Sequence, residues 1–436
     1  MRPTCLDRGA GHIRKAVHFA STQMPEPAIP NEPTSAASSV ARLRVGAIEY
    51  LVGSSMIQAV VVGGADGSKA FSLCKADDCL MQAHQLLDAL DGPSTPKERA
   101  RQLEAFSAGW GPKLLPPPDA LAEFDVLVLI PHHTLHALPL HAIKPANGQA
   151  PLALTHGVTY CSSATLFSRC VERNTARNVD CDAWIPGTNG TAPLGGPPLP
   201  RLCAGIAADA WDGKDEMYKD FGRLMASYFP ESRGPETIRF AIKRPIGLNG
   251  KQVTTYDVIY FVTHGYYDHI HPLNSGLLVE NPNAEILHRA LPLPGGRYAH
   301  YRDLPFRDLP KEIAPRDDAS AEMMTIGELQ IEGFTHAQLV ALLGCSTNAG
   351  HILSGDGVES IAYQWLRLGA ASALANLWRL DIDFISAWMN AFLDGWLRLR
   401  QPKAIAWREA MRKTIAVDSP PPMYQWAGLQ LMGDWV

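Results

Sequence analysis

Two short apolar runs constrain this chain more than any other feature in it. They are Tyr256-Asp-Val-Ile-Tyr-Phe-Val-Thr-His-Gly265 and Leu339-Val-Ala-Leu-Leu-Gly-Cys-Ser-Thr-Asn348. Each is nearly continuous in aliphatic or aromatic residues and stops at a reactive side chain beside a glycine. Unbroken apolar runs of this length are what strands buried on both faces of a parallel sheet require. Open α/β sheets place their sites just beyond the carboxyl ends of such strands. His264 and Cys345, 81 residues apart in sequence, can therefore meet at one sheet edge.

Composition permits this and excludes several other classes. The 436 residues are 46% hydrophobic and 19% charged, enough to bury a large core across one two-lobed domain or two ordinary ones. A formal charge of −5 and a pI near 6.3 give no basic footprint, so a nucleic-acid partner is not expected. No apolar run reaches the length of a membrane span. The N-terminus carries Arg2, Asp7, Arg8, Arg14 and Lys15 with no continuous apolar stretch, so a signal peptide is not expected and the cytoplasm is the default location. Eight scattered cysteines without a C-x-x-C pair fit neither a disulfide framework nor a zinc ribbon.

Along the chain, residues 1–44 are rich in Pro, Ser and Ala and read as a flexible extension. Gln58–Val62 and Ala70–Leu73 read as a hairpin around a Gly-rich turn. That turn is no phosphate loop: Gly63 to Lys69 is one residue short, and a strand follows where a helix is needed. Residues 77–107 are helical in pattern, with a break at Gly92-Pro93, and Phe124–Ile130 is another buried strand. His132, His133, His136 and His141 crowd the next segment but lack H-E-x-x-H and any acid between them, so a loop and a short apolar segment are expected there rather than a metal site. Residues 184–202 form a Gly/Pro-dense connector, 203–230 read as a helix, and 281–318 as a long inserted loop. After Cys345 the pattern predicts a glycine-bearing loop, a helix over Val358–Leu368, a strand over Ala371–Trp378 and a helix from Asp383 to Leu399.

The chemistry of the two run ends is that of a thiol nucleophile and its base. An ordinary thiol is mostly protonated at neutral pH, and a neighbouring imidazole makes it a better nucleophile. Gly265 allows close backbone approach, and its N–H together with that of Cys345 would form an oxyanion site. Taken singly, His264 reads better as a hydrogen-bonded core histidine and Cys345 as a buried thiol before a turn. Two similar runs with matched endings raise the pair to an even reading on physical grounds alone. A rival set, His264, Asp268, His269 and His271, contains metal-ligand types, but lacks an H-x-H opening and a second acidic cluster. No metal or cofactor is expected.

Several separated segments together resemble the CHAT peptidases, caspase-like cysteine proteases of the clan that includes caspases and separase. They are Val126-Leu-Val-Leu-Ile-Pro131 with Leu135-His-Ala-Leu-Pro139, His264-Gly265 followed by Pro272 and Ser275, then Cys345 and the glycine-acid loop Gly355–Glu359. Gly369-Ala370 with Leu377-Trp378, and the tail Trp426-Ala-Gly428 with Gly433-Asp434, complete the match over residues 45–436. The resemblance implies a caspase-like αβα sandwich: a pseudo-caspase lobe over 45–180, then a catalytic lobe over 181–436. It implies cleavage of a protein substrate by a His264–Cys345 dyad without cofactor, in regulated bacterial defence or cell death. A catalytically silent scaffold using the same cleft is the alternative. The family often lies beside TPR repeats; none is visible here, which leaves a separate sensor or TPR-type activator, the inserted loop or the N-terminal extension to gate activity. Relatives carry an acid four residues after the Trp, where this chain has Ile382. Asp381 and Asp383 flank it; an S1 role for either, favouring a basic P1 residue, and a helix N-cap at Asp383 are equal readings.

Overall fold

A computed structural model describes residues 43–64, 67–92, 94–146, 148–182, 200, 203–207, 215–230, 256–263, 265–266, 272–278, 290–293, 297–300, 323–331, 335, 337–344, 347–348, 350–352, 358–378 and 381–436. They form two compact units. The first holds the described residues up to 182, with 391–427 and 431–436; the second holds the described residues of 200–390, with 428–430.

In the first unit, β1 (Val45–Val52), β2 (Met56–Gly64) and β3 (Gly67–Lys75) form an antiparallel meander. It joins the parallel strands β4 (Val126–Ile130) and β5 (Gly157–Tyr160), and then the Leu431–Gly433 end of β17 (Leu429–Gly433), in the order β3-β2-β1-β4-β5-β17. The expected hairpin is β2–β3, extended at both ends. Parallel pairing of β1 with β4 demands a long crossover, and helices Ala76–Asp91 and Pro96–Leu114 supply it. The helical stretch breaks at Gly92 as its glycine predicts, and the second helix starts on a capping box in which Thr95 and Glu98 satisfy each other's backbone N–H groups. All five residues of β4 are buried, as the run 124–130 requires.

A buried polar cluster ties helix Lys403–Ile415 to β17 and to helix Ala164–Asp182. Lys403 and Asp434 are both buried, with Nζ 4.0 Å from Oδ2. Asn174 donates to Asp434 at 2.5 Å, Lys403 Nζ donates to the Val436 carbonyl, and the ammonium sits 5.6 Å from the centre of the Trp396 ring.

The second unit is organised on four parallel strands in the order β16-β13-β7-β6, namely β6 (Cys203–Ala207), β7 (Val258–Val262), β13 (Leu339–Leu342) and β16 (Ser372–Asn376). β7, β13 and β16 are buried along their whole length. Around them lie the antiparallel trio β8 (Gly265–Tyr266), β9 (Gly276–Leu278) and β12 (Met323–Thr325), the hairpin β10 (Ala290–Leu293) with β11 (Arg297–His300), and the short pair β14 (His351–Ile352) with β15 (Val358–Glu359).

Four sequence expectations change. The helix expected over Val358–Leu368 spans Ile361–Leu368, and Val358–Glu359 is strand β15. Residues 203–230 are not one helix: Cys203–Ala207 is strand β6, and the helix spans Asp215–Tyr228. A five-residue apolar segment suits either state, and pairing with β7 selects the strand. Gly205 is what permits it, because a β-carbon there would fall 1.9 Å from the Tyr260 ring. The long insertion 281–318 contains the β10–β11 hairpin. The final expected helix runs from Ile382 to Leu393 and ends in a π turn at Asp394–Arg398. The connector 184–202, apart from Pro200, and the extension 1–42 lie outside the described residues. Among the described residues no helix is long and apolar enough to cross a membrane.

Candidate active site

The parallel register of β7 and β13 sets Leu339 beside Val258 and Leu342 beside Phe261. The Leu343 N–H continues this ladder, donating to the Phe261 carbonyl at 2.8 Å. The two runs therefore stop side by side. Gly344 closes the approach: a β-carbon built on it would lie 2.6 Å from the Thr263 carbonyl oxygen and 3.2 Å from the Gly265 nitrogen. Such proximity leaves room for no side chain at position 344. His264 and Cys345 lie outside the described residues, as do Ser346, Asp268, His269 and His271. Of the described residues that bracket the first two, Gly344 is the neighbour of both Thr263 and Gly265. Leu277 of β9 reaches Gly344 as well and pairs with Gly265.

A hydrogen-bonded ring that the sequence did not single out supports the loop after β13. Thr347 Oγ1 donates to the Leu342 carbonyl at 2.8 Å, and Asn376 Nδ2 donates to the Gly344 carbonyl at 3.0 Å. The Asn376 N–H donates to Thr347 Oγ1 at 3.0 Å, and its carbonyl accepts from the Asn348 N–H at 2.8 Å. Asn348 Nδ2 donates to Gln430 Oε1 at 2.6 Å, and Ser360 Oγ donates to Asn348 Oδ1 at 3.0 Å while capping helix Ile361–Leu368. All five side chains are buried. Nothing in their spacing marks them in a single sequence, because polar residues after strands usually face water.

The other expected residues fall as follows. Pro272 and Ser275 form a tight turn, with the Ser275 N–H donating to the Pro272 carbonyl at 3.0 Å, that leads into β9. Glu359 is in β15. Trp378 lies against Gly428, where a β-carbon would come within 2.9 Å of the indole. Asp381 and Asp383 are both exposed, and the Asp381 carboxylate accepts from the Asp383 N–H at 2.9 Å, capping the helix that starts at Ile382. In the strand core behind the site, burial pushes the Tyr260 phenol up to about 12 and the Cys203 thiol well above its ordinary value, so both stay neutral.

The histidine-rich segment belongs to the first unit. His132 Nδ1 accepts from the Val52 N–H at 3.1 Å; His141 Nδ1 pairs with the Tyr160 hydroxyl at 2.9 Å, and its ring meets Trp407 edge-on. Burial pushes both His136 and His141 down to about 3. Among the described residues no group of three or more His, Cys, Asp or Glu side chains is placed to hold a metal ion.

Parallel strands ending side by side at a glycine-lined edge define an α/β protein with its candidate site at the carboxyl ends of the sheet. The chain belongs to the CHAT domain family, whose model matches residues 97–434. The expected family and α/β fold class are thus borne out. Similar solved structures include the Arg-specific cysteine proteinase gingipain R, at 10% identity over 79% of this chain and 69% of that one, with a TM-score of 0.39. Another is the complex of the pro- and mature domains of RgpB from Porphyromonas gingivalis, at 10% identity over 79% and 70%, with a TM-score of 0.38. The Saccharomyces cerevisiae separase–securin complex matches at 9% identity over 90% of this chain, with a TM-score of 0.49; the chain spans 30% of that one. A comparison with curated protein sequences finds no match.

Proposed function

We propose that this chain is a cysteine endopeptidase in which Cys345 is the nucleophile and His264 its general base. The observation that supports the reading is the contact of Gly344, the residue before Cys345, with Thr263 and Gly265, the residues on either side of His264. Membership of the CHAT family supports the same chemistry. In this reading the Cys345 thiol passes its proton to His264 and the sulfur adds to the scissile carbonyl. The N–H groups of Gly265 and Cys345 stabilise the oxyanion. His264 then returns the proton to the leaving amine, and water hydrolyses the thioester. No step needs a metal or cofactor. The exposed acids Asp381 and Asp383 favour a basic residue at P1, with Asp383 the freer of the two because Asp381 caps the helix. The substrate is a protein, and activity is gated by a partner or ligand in a defence or cell-death pathway.

The test is N-terminal peptide profiling of cells expressing the wild-type chain beside Cys345→Ala and His264→Ala. New N-termini confined to the wild type, with Arg or Lys before each cut, are expected. Identical profiles from all three, in the presence of the chain's activating partner, would instead leave a scaffold that binds without cutting.

A further inference from the structure

Asn376 ends β16 fully buried, and three of its four polar atoms grip the loop that carries Cys345. Its side-chain amide holds the Gly344 carbonyl, its N–H holds the Thr347 hydroxyl, and its carbonyl holds the Asn348 N–H. The loop is thus fastened immediately before Cys345 and again at the second and third residues after it. Among the described residues the remaining atom, Oδ1, has no hydrogen-bond partner. Most of the hydrogen bonding of Asn376 is thus spent on this loop. Its bond to Gly344 has a specific consequence. A trans peptide is planar and carries its C=O and N–H on opposite edges. Holding the Gly344 carbonyl therefore fixes the plane of the peptide whose N–H belongs to Cys345.

We infer that Asn376 is a positioning residue for acyl transfer, setting the Cys345 N–H as an oxyanion donor through the Gly344 carbonyl. This rests on the His264–Cys345 reading. Thr347, Asn348, Gln430 and Ser360 hold Asn376 and its loop in register.

Two reagents applied to the full chain separate this role from mere stability. Nitrophenyl acetate acylates Cys345 through an oxyanion: the sulfur adds to the acetyl carbonyl, the intermediate collapses, and nitrophenolate leaves a thioester. Iodoacetamide alkylates the same sulfur by displacing iodide, with no oxyanion. Both rates are read at the Cys345 peptide by mass spectrometry. Asn376→Ala is expected to slow acylation by about tenfold or more, short of the hundred- to thousandfold cost of losing an oxyanion donor outright because the Cys345 N–H is loosened and not removed, while alkylation stays within about twofold. Equal slowing of both rates, or no slowing of either, overturns the role of Asn376. Asn376→Asp keeps the side-chain shape should the Ala variant not fold. Its carboxyl donates to the Gly344 carbonyl only when protonated, so the acylation-to-alkylation ratio is low in mild alkali and recovers on acidification. A ratio at the wild-type value throughout overturns the proposal too. Failure of the dyad is seen without any Asn376 variant: wild-type Cys345 then reacts no faster than it does in His264→Ala, and the proposal falls with it.

Discussion

Gly344 shows how one residue can decide whether two strand ends meet. Its missing side chain is replaced by the backbone of Thr263 and Gly265, which cannot move away without disturbing β7. Gly344→Ala is therefore expected to destabilise the chain by about 1–3 kcal/mol, the usual cost of overpacking, and to slow iodoacetamide labelling of Cys345 at temperatures where the protein remains folded. A thermal melt and the labelling rate check the two parts. His141 gives a pH prediction in the first unit. Its ordinary value is 6.5 and burial lowers it to about 3, so the unfolded chain takes up a proton that the folded one refuses. The stabilisation is complete above about 6.5 and is lost as the pH falls toward 3. His141→Phe should shift the acid-unfolding midpoint to lower pH by near-ultraviolet circular dichroism; an unchanged midpoint would show that His141 does not drive acid unfolding. At this scale the two run ends were legible, because β7 and β13 are apolar throughout and stop beside glycines. Asn376 and Thr347 were not, since their roles exist only once β16 lies beside β13.

Among the elements, helix Lys403–Ile415 and β17 depend on a buried ion pair that no local pattern announces. Removing one partner strands the other in a dry site, so Lys403→Met should cost about 3–5 kcal/mol. Adding Asp434→Asn should recover much of that loss in chemical denaturation, and a double-mutant cycle that is strictly additive would show the pair to be uncoupled. The strands were read where apolar runs were unbroken, as in β4, β7 and β13. β6 was lost in an expected helix because five small or apolar residues carry no period; its pairing with β7 makes it a strand, and Gly205 leaves the room that the Tyr260 ring needs.

Over the whole molecule, the chain leaves the first unit after the long helix ending at Asp182, builds the second, and returns at Ala391. The first unit is thus discontinuous: helix Lys403–Ile415 packs its Ala404 backbone against Gly157, where a β-carbon would come within 2.9 Å, and β17 lies beside β5. A chain truncated after Asn390 should lose protection of residues 45–182 in limited proteolysis, because β5 would expose its free edge and the buried Trp407 and Trp435 would be missing. Protection equal to that of the full chain would show that the first unit folds without the returning segment.

The sequence by itself determined the α/β class, the family and the two run ends where chemistry is expected, because unbroken apolar runs and His-Gly and Gly-Cys endings survive any arrangement of the strands. Only the tertiary structure decided which strands are neighbours. That choice depends on pairings between residues far apart in the chain, on close backbone approaches at Gly205 and Gly344, and on buried polar groups whose partners come from other elements.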